Sequence, residues 1–375
     1  MFGINVNHLT IFKLVKLTIK KEKNMKKMLL TTALVGSLVS GISAANAETK
    51  VSGNLGISYF AMGNEGTVSS TSKPYNGFGT ESQINVSNSG TLSNGMKYAA
   101  GFSWEIDGGE TLGGGGGTAA SSKASTEGTY IEFINGGTTV GVGADRIANL
   151  DGTGSNFVGW GYRQISGAYS SITNSTYNDA YSQFGVYGSQ KFDGGTLSLV
   201  YTPNNAGGNL STDDVGFSAS KSTIDAGPSA FTVGFNGDLG VKGLGVKLGY
   251  VSSGKTLAAG KDDTGNIVAL SYQMGATKVG INRGTITVGT TSEDKTTTEL
   301  GIAQTLSDST SIGLAYTRSD SSLATKPNDE KIWTAAVGYN LGPVALTVQY
   351  KTATDIGGIA AQDASQLGLY LGTKF

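Results

Sequence analysis

Cysteine is absent from the 375 residues, and the single histidine, His8, stands near the start. Without thiols, disulfide frameworks, thiolate metal sites and cysteine nucleophiles are excluded. Without an imidazole beyond His8, neither a Ser-His-Asp triad nor a histidine zinc site can be assembled further along. No enzymatic activity is therefore expected. Proline is scarce, with 5 residues, and arginine is scarcer: Arg146, Arg163, Arg283 and Arg318 are the whole set. After residue 47 no apolar run approaches the roughly 20 residues that a membrane helix needs. Apolar residues make up 38 % of the chain, below the ~45–50 % usual for soluble domains.

What is present points elsewhere. Residues 1–47 hold seven lysines and one acid, Glu22; removing them from the totals of 27 basic and 28 acidic leaves 20 and 27, a net charge of −7 for 48–375. A nucleic-acid partner is not expected of such a surface. The basic segment has the form of a signal peptide: Met25-Lys26-Lys27-Met28, a small and aliphatic stretch Leu29–Ile42, and the A-x-A site Ala45-Asn46-Ala47. Residues 25–47 are thus expected to be cleaved, and 1–24 to be a non-native extension upstream of the true start at Met25. The mature domain is 48–375.

Period-two alternation pervades that domain. In 96–107, Met96, Tyr98, Ala100, Phe102, Trp104 and Ile106 share one face, opposite Lys97, Gly101, Ser103, Glu105 and Asp107. Over 344–351, Val344, Leu346, Val348 and Tyr350 oppose Ala345, Thr347, Gln349 and Lys351. One wholly apolar face is strand patterning. Charges on the other face, and Tyr or Trp near the ends of the apolar one, favour a membrane barrel over a soluble sandwich. The predicted fold is all-β, a transmembrane antiparallel barrel. Lys191, Lys247, Lys351 and Lys374 fall on its lumen face, where solvation of the lumen is a sufficient role.

Fifteen strands are predicted near 50–60, 80–88, 95–106, 126–135, 137–145, 180–192, 195–203, 244–253, 264–274, 277–290, 296–306, 309–318, 330–341, 343–353 and 365–375. The segment 204–243 offers two further pieces, 213–222 and 229–238. Short turns at Asn135-Gly136-Gly137, Asp193-Gly194-Gly195 and Asn340-Leu341-Gly342-Pro343 alternate with long loops. Bacterial barrels place short turns on the periplasmic side and have even strand number. Counting from both ends makes 195–203 and 244–253 both run outward, so one strand lies between them, taken as 229–238. The total is sixteen, which encloses an aqueous channel.

The last ten residues, Gln366 to Phe375, place Leu367, Leu369, Leu371 and Phe375 on one face. They resemble the terminal signal read by the barrel-assembly machinery of bacterial outer membranes, with Thr373 as a departure. The mature chain as a whole resembles the sixteen-stranded Rhodobacter-type porins of alphaproteobacteria. The likeness rests on Lys50-Val51-Ser52-Gly53, on the strand from Gly95-Met96-Lys97-Tyr98 to Trp104-Glu105, and on Gly137-Thr138-Thr139-Val140-Gly141-Val142-Gly143 before a long loop. The resemblance implies a homotrimer in the outer membrane, bathed in lipid and lipopolysaccharide, that passes small hydrophilic solutes and ions. It also implies a third loop, here 146–179, folded into the lumen, with acids on the loop facing bases on the wall. Asp145 and Asp151 match the acidic side; on the wall only Lys97 is basic among Gln83, Asn85 and Lys97. Arg146 and Arg163 belong to the same loop; Arg146 either lines the constriction or pairs with Asp145 or Asp151.

The remaining motifs have plain readings. Gly113–Gly117 lacks the Lys-Ser/Thr and the helix of a phosphate loop. Phe157, Trp160, Tyr162, Tyr169 and Tyr177 suit packing of the third loop against the wall, or a stacking slide for sugars. Asp262-Asp263 and Glu293-Asp294 carry the oxygen ligands a loop-bound Ca2+ would need, though solvated loop acids suffice; no other cofactor is expected. The function expected is passive diffusion. The alternatives are a sugar-specific channel and a non-conducting structural or adhesive barrel.

Overall fold

The computed structural model describes residues 47–64, 76–110, 124–143, 185–203, 229–253, 263–288 and 293–375. These form sixteen antiparallel strands: β1 Glu48–Asn64, β2 Asn76–Thr91, β3 Lys97–Glu110, β4 Ala124–Asn135, β5 Thr138–Gly143, β6 Gly185–Phe192, β7 Gly195–Thr202 and β8 Ala230–Gly237. They continue as β9 Leu244–Ser253, β10 Asp263–Met274, β11 Thr277–Val288, β12 Glu293–Thr305, β13 Thr310–Ser321, β14 Glu330–Asn340, β15 Val344–Thr354 and β16 Ala364–Lys374. Each pairs with its neighbours in sequence, and β1 pairs with β16, so the sheet closes into a barrel with no free edge. The strand chosen by parity, 229–238, is β8; the rival piece 213–222 lies outside the described residues. No helix among the described residues is long and apolar enough to cross a membrane; the strands are the crossing elements.

The pleat sorts side chains as the alternation predicts, and the result inverts a soluble protein. Phe102, Trp104, Leu300 and Leu314 are 44–53 % exposed on the outer face, whereas Ser103, Glu105 and Glu299 on the inner face are only 3–7 % exposed. With no water in the hydrocarbon, every outward backbone group must be paired across strands, and lipid covers the apolar side chains.

Closure depends on close approach. At the seam Asn54 stands opposite Lys374 and Ser58 opposite Tyr370. The terminal residue extends the ladder, with Gly53 N–H donating to Phe375 O at 2.9 Å and Phe375 N–H donating to Gly53 O at 3.0 Å. The Phe375 ring lies on Gly53, where a Cβ would come within 2.6 Å of its Cζ. Inside, the Tyr370 ring spans Gly56 and Gly372, and a Cβ at either would collide with it. An aromatic laid over a glycine restores the packing a missing side chain forfeits.

Candidate functional site

The candidate site is the inner wall, because eight of the nine lysines of the described strands face it and because those strands close around the barrel axis. Eight strand lysines face inward by their place in the alternation: Lys50, Lys97, Lys191, Lys247, Lys278, Lys295, Lys351 and Lys374. Glu105, Glu132 and Glu299 face the same way and are 3–7 % exposed. Tyr187 Oη donates to Glu132 Oε2 at 2.8 Å, and the tyrosine ring rests over Gly141 of the intervening strand. On the opposite arc Glu299 accepts from the Thr317 hydroxyl and faces the charge of Lys351. Both signs of charge on one wall keep that wall wetted and give an ion moving along it no single-signed barrier. One inner patch departs from the polar pattern: Ala230, Val251, Ile267 and Ile286, toward the outer ends of β8–β11, form an apolar cluster only 1–5 % exposed.

The outer mouth is tied together by groups that include Glu293-Asp294, the pair for which the sequence suggests either a loop-bound Ca2+ or solvated acids. Glu293, at the head of β12, meets Lys326 Nζ at 3.0 Å and Lys295 Nζ at 3.9 Å, and accepts from Ser321 Oγ at 2.5 Å. Its neighbour Asp294 points to the other face and accepts from Thr287 Oγ1 at 2.6 Å. Glu330, fully buried, accepts from Gly357 N–H at 2.8 Å in the short 3-10 turn Ile356–Gly358. Asn328 N–H donates to Gly358 O at 3.2 Å, joining the loop before β14 to the loop after β15. Among the described residues no group of three or more His, Cys, Asp or Glu converges on a common point. Asp262 lies outside the described residues, as do Asp145, Arg146, Asp151, Arg163 and the whole of 146–179. Lys97 opens β3 at its periplasmic end, exposed, beside Ile134 of β4, one residue from the turn. Leu369 and Leu371 point outward and are exposed; Phe375 closes the seam.

A sixteen-strand closed barrel with an apolar exterior and a charged interior meets a direct counterpart in sequence space. The model of the family described as Gram-negative porin matches residues 31–357. The chain belongs to the Gram-negative porins. No curated protein matches it. Solved structures share the fold. The anion-selective porin from Comamonas acidovorans superposes with a TM-score of 0.62 at 13 % identity, covering 88 % of this chain and 100 % of that one. OmpT of Vibrio cholerae, in its trimer form, gives 0.57 at 11 % identity, with 88 % and 99 % covered. A mutant of the Rh. blastica porin gives 0.56 at 14 % identity, with 88 % and 100 % covered. This porin is a diffusion channel of the Gram-negative outer membrane.

Proposed function

We propose that this porin is a general diffusion channel whose size limit is set by 146–179, the third outer loop, folded into the lumen. A sixteen-stranded lumen is far wider than a small solute, so a size limit needs something inside it. The observation that carries the reading is the apolar patch Ala230, Val251, Ile267 and Ile286 on an otherwise polar inner wall. It offers a seat for the loop's Phe157, Trp160, Tyr162, Tyr169 and Tyr177. In that position Asp145, Arg146, Asp151 and Arg163 line the narrowest section, and charges in a narrow, partly dehydrated space act more strongly than on an outer loop. Lys97, at the periplasmic end of its strand, contributes to the field of the lower vestibule. With −7 in 48–375 the channel prefers cations weakly, unlike its anion-selective structural neighbour.

The channel works as a homotrimer, a reading supported by the trimeric OmpT. Its signal peptide, 25–47, is removed in export, and Leu369, Leu371 and Phe375 present the closing strand to the barrel-assembly machinery. Planar-bilayer recording tests the channel reading: large step-like currents whose reversal potential in a salt gradient favours the cation. Silent bilayers would favour a structural barrel, and saturable block by one sugar a specific channel.

A further inference from the structure

The eight inward lysines make the exceptions informative. Only three cations of the described strands point outward: Arg283 of β11, Arg318 of β13 and Lys331 of β14. They are not scattered. Arg283 pairs with Thr298, Thr298 with Arg318, and Arg318 with Lys331, so the three occupy one lateral row across four adjacent strands. At a strand spacing of about 4.8 Å the row spans roughly 15 Å. A lysine or arginine on the lipid face costs ~2–4 kcal/mol at the bilayer midplane and ~0–1 near the interface. Three such residues side by side therefore call for an anionic neighbour. Arg318 has a partial one: its Nη2 lies 2.6 Å from Asp329 Oδ2, yet the side chain stays 55 % exposed. Among the described residues neither Arg283 nor Lys331 has an acidic partner. Asp320 and Asp294 share the outer face, one and two steps nearer the outer ends of β13 and β12 than the row.

A second observation lies directly beneath. The next outward positions toward the periplasm are Ile281, Leu300, Tyr316 and Trp333, and the Tyr316 and Trp333 rings meet at 4.7 Å. These residues border a furrow of about 670 Å3 in the outer wall, floored by Gly280, Gly301 and Ala315. The furrow is apolar and opens to the hydrocarbon.

We infer that this part of the wall is a binding site for a phosphorylated glycolipid of the outer leaflet, with the phosphate groups on Arg283, Arg318 and Lys331 and an acyl chain in the furrow. The row lies on the long-loop half of the barrel, which faces the outer leaflet. Guanidinium forks match phosphate oxygens in bidentate geometry, and the aromatic pair sits at the level where chain meets headgroup. The inference does not depend on how the channel is gated or narrowed.

The test compares the intact porin with the triple variant Arg283→Gln, Arg318→Gln, Lys331→Gln and with Val279→Trp, which fills the furrow and keeps the cations. Each barrel, freed of lipid in mild detergent, is titrated with phosphorylated lipid A, its dephosphorylated form and phosphatidylglycerol. Thermal unfolding is followed by gel mobility. Phosphorylated lipid A should raise the unfolding temperature of the intact porin, with the other two lipids doing so weakly. The apparent affinity should fall about tenfold or more in the triple variant, as expected for loss of at least one charge-assisted contact, and should fall in Val279→Trp as well. Conductance of the triple variant should match that of the intact porin. An unchanged titration in either folded variant, or equal effects of the three lipids, would overturn the assignment. So would a triple variant that loses its oligomeric state while binding lipid normally, since the row would then be a subunit contact. Should the triple variant not fold, Val279→Trp decides alone.

Discussion

The inner and outer faces of this barrel are built from the same strands, one residue apart, and ask opposite things of a charge. On the inner face a lysine or glutamate finds partners: Tyr187 donates to Glu132, and Thr317 and Lys351 attend Glu299. On the outer face the neighbours are Leu300, Leu314 and Trp333, each at least half exposed, and protein partners are few: Asp329 for Arg318 and the Thr287 hydroxyl for Asp294. The difference teaches that residue type matters less here than parity. Lys331 and Glu330 are adjacent in the chain, yet one is exposed on the outer face and the other is buried inside, accepting from Gly357 N–H of the Ile356–Gly358 turn.

The largest expected effect comes where the two faces meet at the seam. Phe375→Ala removes the ring that covers Gly53 outside while leaving Tyr370 over Gly56 inside. The folded barrel in outer-membrane fractions, read by heat-modifiable gel mobility, should drop several-fold. Normal accumulation would show that the terminal aromatic is dispensable for closure.

A smaller effect tests the faces directly. Leu314→Arg, one outward position deeper than Tyr316, places a charge among lipid tails and should cost about 2–4 kcal/mol in urea unfolding, by the depth dependence known for barrels. Lys191→Gln, on the inner face, should change stability by less than about 1 kcal/mol and act instead on the reversal potential. Equal costs would erase the distinction between the faces.

Next comes the proposed constriction. Deleting 150–160 should raise single-channel conductance and admit larger sugars, because it removes the part of the loop expected to fill the lumen. A folded deletion variant with unchanged conductance would make the segment an outer cap. The smallest effect is expected from Asp151→Asn, which removes one negative charge and should move the reversal potential a few millivolts toward anions. No movement would take Asp151 out of the solute path.

Much of the barrel was legible in the chain because strand alternation is a local property. The faces of Phe102, Ser103, Trp104 and Glu105 followed from period two, and the turn at Asp193-Gly194 and strand 195–203 emerged as predicted. Counting parity from both termini required a single strand in 204–243, and β8 stands at Ala230–Gly237. The candidate site was legible only in part. Lys191, Lys247, Lys351 and Lys374 were placed inward correctly, but the partners of Glu132 and Glu299 were not foreseen, since Tyr187 and Lys351 lie more than fifty residues away in each case. The clasp of Glu293 with Lys326 was missed for the same reason, its two halves belonging to different loops.

Which side of a strand a residue faces is determined by the pleat, and any short stretch of this sequence carries that information. Which residues stand beside one another around the barrel is determined by register, and register is settled strand pair by strand pair, by each connection's length and the burial of each face. Nothing in the spacing of Arg283, Arg318 and Lys331 along the chain makes them neighbours; the registers of the three successive strand pairs β11–β14 do. The sequence by itself determined a porous membrane barrel with a charged interior. Only the tertiary structure aligned three cations over an apolar furrow, because hydrogen-bonded pairing across strands is a global constraint that no local pattern encodes.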